Sequence, residues 1–197
     1  MPNRTDKFLL ILGFVLFLIA VIAINIVGAK TKDEISIDYI HWLMLVGTAL
    51  QIPFAARLPR RGISLLAAFL ILCGIVCTIG MCMLDFVFWS LPDDRLRGEV
   101  ARQLMDTPTV WQPFMMWGTE EVFYAGIVLA SVLYLPHSKL GTPLVIVGAV
   151  CAIAGGSWFN VVGVAAVALG FLFNFNFLRT QDNLAPSFIR PADDSAS

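Results

Sequence analysis

Apolar residues run along this chain in long blocks of close to twenty, with polar residues gathered in the short stretches between them. A helix rises about 1.5 Å per residue, so a block of roughly 20 crosses the ~30 Å hydrocarbon core of a bilayer. Six such blocks can be marked, at about 8–27, 40–56, 63–91, 113–135, 142–156 and 159–178. The expected fold is therefore all-α, a polytopic transmembrane bundle of six helices.

The connections carry their own signals. Arg57, Arg60 and Arg61 stop the second block, and Pro59 and Gly62 turn the chain into the third. The third block is longer than a bilayer is thick, so it tilts or projects into the headgroups. Pro113 opens the fourth, where a missing N–H costs nothing in a first helical turn. Gly155, Gly156 and Ser157 leave so short a turn that the fifth and sixth blocks must form an antiparallel hairpin. Gly148, Ala152 and Gly156, at four-residue spacing, would bring those backbones close. Arg4 and Lys7 before the first block, with Val27, Gly28 and Ala29 after it, also fit a cleaved secretory signal. The block exceeds the roughly 7 to 15 residues of a signal core, which favours a retained helix.

Between the third and fourth blocks, Pro92, Asp93 and Asp94 read as a helix start. Leu96, Val100 and Leu104 follow at four-residue spacing. A short amphipathic helix on the outer surface is expected there, with a solvated connector as the alternative.

Composition supports the bilayer as solvent: 58% of the 197 residues are hydrophobic, 14% are charged and mean hydropathy is +0.82. Residues 1–180 then form a single transmembrane domain with no room for a separate soluble one, and 181–197 read as a disordered cytoplasmic tail. A net charge of -1 gives no field for nucleic acid. The partners expected are the lipid bilayer and possible protein contacts within it. Alternating the sides of successive connections groups Arg4, Lys7, Arg57, Arg60, Arg61, Lys139, Arg179 and Arg190 against Lys30, Lys32, Arg95, Arg97 and Arg102. The larger group marks the cytoplasm, so both termini are expected there. A compact chain without an organelle address suggests the bacterial inner membrane.

Glu120 and Glu121 are the sharpest chemical feature. A fourth helix beginning after them would be too short to cross, so they fall inside the span, where each costs on the order of 2 to 3 kcal/mol unless paired or protonated. Asp85 near the outer end of the third span, His41 at the start of the second, Asn25 at the end of the first and Asn160 at the start of the sixth map to the same outer half. Together they form a candidate outward-facing acidic site. Cys73, Cys77 and Met81 step along one stripe below Asp85, a pattern that suits core packing better than a path for a soft metal. All four cysteines lie in apolar runs, and no nucleotide loop, metalloprotease helix or nucleophile elbow occurs.

Three functions fit these residues. The first is a non-enzymatic membrane subunit, sensor or small binding protein whose ligand the sequence does not name. The second is a small ion- or proton-coupled transporter using Glu120 or Glu121. The third is an intramembrane metal-dependent hydrolase with His41, Asp85 and the glutamates as ligands. It is weakened because the only other histidine, His137, belongs to the opposite side. The first is preferred, with no cofactor, no assigned catalytic residue and no resident metal.

Overall fold

The computed structural model describes residues 2–27, 34–136, 138–154 and 156–177. Among them the chain is wholly helical: α1 (Arg4–Val27), α2 (Glu34–Ala49), α3 (Ile52–Ala56), α4 (Gly62–Ser90), α5 (Asp94–Met105), α6 (Pro108–Trp111), α7 (Phe123–Val132), α8 (Gly141–Ala154) and α9 (Ser157–Asn174). Two π-helical turns, Gln112–Met116 and Gly118–Val122, link α6 to α7. The tail at 181–197, Lys30, Lys32, His137 and Gly155 lie outside the described residues.

Among the described residues three helices are long and apolar enough to cross a membrane, by length and composition: α1, the segment Asp38–Ala56, and α4; α8 and α9 are shorter apolar helices. The second of these is broken where α2 meets α3. Pro53 has no N–H to offer the carbonyl of Ala49, and the chain tightens instead through Gln51 N–H to the Thr48 carbonyl at 3.1 Å. Large apolar side chains stand exposed all round the molecule, Phe69, Val76, Leu140 and Phe159 among them. Such a surface is compatible with a membrane location.

Small residues decide how closely the helices approach. A Cβ on Gly148 would lie 2.7 Å from the Gly163 carbonyl, and one on Gly163 would lie 2.5 Å from the Ala152 nitrogen. The hairpin of α8 and α9 is therefore packed backbone to backbone, as the spacing of Gly148 and Ala152 suggests. Gly156 takes no part, having nothing within 4 Å of its Cβ position; Gly141 and Gly170 make the contact at the other end. A second seam joins α4 to the segment that follows α6. Gly74 meets Phe123, Gly80 meets the Phe114 ring and Gly126 meets the backbone of Ile71.

The main core lies between α1, α3, α4, α7, α8 and α9. Phe171 is its hub, with ring centroids 6.1 Å from Phe14 and 5.9 Å from Phe54. Below it Asp6, 1% exposed, takes Arg57 at 2.6 Å and exchanges hydrogen bonds with Asn3 in a reciprocal box at the start of α1. Lys7 sits over the rings of Tyr134 and Phe175. The start of α1, the end of α3 and the far ends of α7 and α9 thus meet at one end of the molecule.

At the other end α5 forms where the apolar spacing of the loop suggests a helix. The Asp93 side chain accepts the Leu96 N–H at 2.7 Å as an N-cap. Arg97 folds back over the Trp89 ring and donates to the Leu91 carbonyl, which ties α5 to the end of α4. Leu96, Val100 and Leu104 are half-covered, and no residue of α5 is buried.

Candidate functional site

Beside the smaller core cluster of Ala20, Ile40, Met44 and Cys82, the helices part around a cavity of about 380 Å³. Residues from α1, α2, α4, the second π turn, α7 and α9 line it. Most of the wall is hydrocarbon and aromatic: Phe17, Val21, Ile24, Met44, Met81 and Phe123. Its polar members are Asn25, Thr48, Thr78, Thr119, Glu120, Tyr124 and Asn160. The volume lies within the range of small-molecule pockets, about 300–1,000 Å³.

Glu120 supplies the only ionisable carboxylate of this wall. Its position follows from the π turns. The Trp117 N–H reaches back to the Gln112 carbonyl at 3.2 Å, and the Val122 N–H reaches the Trp117 carbonyl at 3.1 Å, each one residue further than in an α-helix. Gly118 makes this possible, because a Cβ there would collide with the Pro113 carbonyl and lie 2.6 Å from the Cys77 sulfur. The π segment thus lies flat on α4, with Glu120 half-buried on the cavity side and Glu121 exposed. Glu120 lines the cavity and Glu121 does not.

Asn160 is the polar partner of Glu120. Its Nδ2 donates to Glu120 Oε1 and to the Ala152 carbonyl, both at 3.5 Å, while its Oδ1 is buried without a hydrogen-bond partner among the described residues. Asn25 also lines the cavity and turns its Nδ2 onto the Val21 carbonyl at 2.7 Å. Thr78 donates to the Gly74 carbonyl, whereas the Thr48 hydroxyl is buried with no partner among the described residues.

His41 and Asp85 form a separate pair. His41 Nε2 lies 3.0 Å from Asp85 Oδ2, with the imidazole 4% exposed and edge-on to Phe86. Neither residue lines the cavity, yet Met44 and Met81, one turn away along α2 and α4, both do. The pair therefore clamps α2 to α4 directly beside the cavity.

Of the six residues singled out in the sequence, Asn25, Glu120 and Asn160 share the cavity, His41 and Asp85 pair next to it, and Glu121 points away. Thr48, Thr78, Thr119 and Tyr124 join the site without having been singled out. Hydroxyl groups within apolar spans look like ordinary helix-packing residues, and only the meeting of α2, α4, the second π turn and α7 brings them together. Cys77 packs on Gly118, and among the described residues no group of three or more His, Cys, Asp and Glu side chains could hold a metal ion. Compared with protein-family models, with curated proteins and with solved structures, the chain matches none of them.

Proposed function

We propose that this chain is a six-span membrane protein with both termini in the cytoplasm, and that it binds a small ligand in the cavity beside Glu120 without transforming it. The observation that carries this reading is the cavity itself. An apolar chamber of about 380 Å³ ending in one carboxylate, two amides and several hydroxyls has the make-up of a ligand pocket. Among the described residues the wall contains no histidine or cysteine, and the Thr119 hydroxyl turns to the Met116 carbonyl and not to Glu120.

Two further features support the reading. The π-helical turn under Glu120 is a rare conformation that is concentrated at functional sites. All five tryptophans lie towards the cavity end of the chain: Trp42 follows His41, Trp89 follows Asp85 by one turn, Trp111 and Trp117 precede Glu120, and Trp158 precedes Asn160. Tryptophan gathers at membrane interfaces, which suits a site near the outer surface and reached from it.

The test is equilibrium titration of the full chain, in nanodiscs of zwitterionic lipid, with three small aromatic probes: phenethylamine, phenethyl alcohol and hydrocinnamate. Thr119→Phe, which fills the cavity from its half-buried wall, is the comparison. Saturable binding of any probe by the native chain, lost in the filled variant, supports the reading. Linear partition of all three, equal in both proteins, would sink it.

A further inference from the structure

We infer that the ligand of this cavity is an organic cation, an ammonium group on an apolar body, held at Glu120 and Asn160. The inference rests on reading the cavity as a ligand site.

The charge of the wall points this way first. Glu120 is its single charged residue, and no Lys, Arg or His among the described residues lines the cavity or pairs with this carboxylate. A carboxylate drawn out of water needs a positive partner or a proton. A ligand that brings the charge supplies what the described wall lacks, whereas an anionic ligand would meet repulsion from Glu120.

Hydrogen bonding points the same way. Asn160 spends its Nδ2 on Glu120 and on the Ala152 carbonyl, which leaves its Oδ1 buried with no donor among the described residues. Glu120 when ionised is also only an acceptor. The Glu120 carboxylate borders the chamber with acceptor capacity beyond its bond from Asn160, and an ammonium carries up to three donors with no acceptor of its own. A neutral alcohol offers one donor and no charge.

The remaining wall decides between an organic and an inorganic cation. Calcium takes about six to eight oxygen ligands, and even a monovalent ion needs several. Here a few oxygens face a chamber walled by Phe17, Phe123, Tyr124, two methionines and aliphatic side chains. Aromatic rings attract a cation through their faces, and the hydrocarbon wall accommodates its apolar body.

The three aromatic probes share one skeleton and differ in charge, so their ranking tests the inference on the native protein. Phenethylamine should bind at least about tenfold more tightly than phenethyl alcohol, with hydrocinnamate weakest. Glu120→Gln, close to isosteric, should lower phenethylamine affinity by about tenfold and leave phenethyl alcohol unchanged, while Glu121→Gln alters neither. Equal affinities of amine and alcohol, tightest binding of hydrocinnamate, or an indifferent Glu120→Gln would overturn the inference while leaving a ligand pocket in place. Displacement of phenethylamine by sodium or potassium chloride, but not by choline chloride at the same ionic strength, would overturn it in favour of an inorganic ion. Failure of all three probes to saturate removes both the inference and the pocket reading.

Discussion

At the scale of single residues, the hydrogen bond between His41 and Asp85 is the clearest test of how α2 and α4 are held together. The imidazole is almost fully buried and the carboxylate partly so. Removing either partner leaves the other short of a hydrogen bond in a poorly hydrated place. His41→Phe and Asp85→Ala should each lower stability by about 1–2 kcal/mol, read from unfolding in mixed micelles. The double variant should lose less than the sum of the two, and strictly additive losses would show that the pair is not coupled. The pair was legible from sequence only as two polar residues at a shared depth. Depth says nothing about which helix faces touch. The same ambiguity coupled Glu120 with Glu121, of which only Glu120 lines the cavity. Asp6 was not singled out at all, because counting Lys and Arg to orient the chain passes over an acid buried at the end of a span beneath Arg57.

At the scale of elements, the starts and stops written in the sequence are reproduced where they depend on local chemistry. The Arg57 to Gly62 turn and the capped start of α5 are such cases, and both can be tested cheaply. Gly98 lies within α5 with nothing near its Cβ position, so Gly98→Ala should stabilise that helix by up to about 1 kcal/mol. Asp93→Ala, which removes the cap, should cost about 1 kcal/mol. Opposite changes in amide exchange across Asp94–Met105 would register both effects, and no change on losing the cap would count against the helix in solution. The hairpin of α8 and α9 depends instead on contacts between elements. Gly163→Val should destabilise by about 1–3 kcal/mol or more through overpacking against Ala152, whereas Gly156→Ala, in open space, should be close to neutral in the same unfolding assay. What the sequence could not convey was the π-helical stretch. Pro113 and Gly118 are ordinary in many helices, and their effect arises only because α4 presents Gly74, Cys77 and Gly80 as a narrow seat for this segment.

At the scale of the whole molecule, the two ends differ in kind. One gathers Asp6, Arg57 and Lys7 around a packed aromatic floor, and the other opens into the cavity below α5. Apolar block lengths were enough to foresee a helical protein with a lipid-compatible surface. They could not foresee the cavity, which is a property of how four crossings leave space. If the charged end faces the cytoplasm, a reporter joined after Ser197 that functions only inside the cell should be active, and one inserted beside Gly98 should not. The opposite pattern would invert the proposed orientation.

The two π turns carry one more consequence, which concerns chain length. Each packs an extra residue into a helix without lengthening its path, so the segment ahead of α7 holds slack. Deleting Thr119 should let Gly118–Val122 relax into α-helical register while α7 keeps its seat on α4. The deletion leaves Glu120 in the chain but rewinds the turn that carries it, which changes the direction of its side chain relative to α7. A protein that still folds yet no longer binds, while Thr119→Ala binds normally, would show that the π turn is what aims the carboxylate.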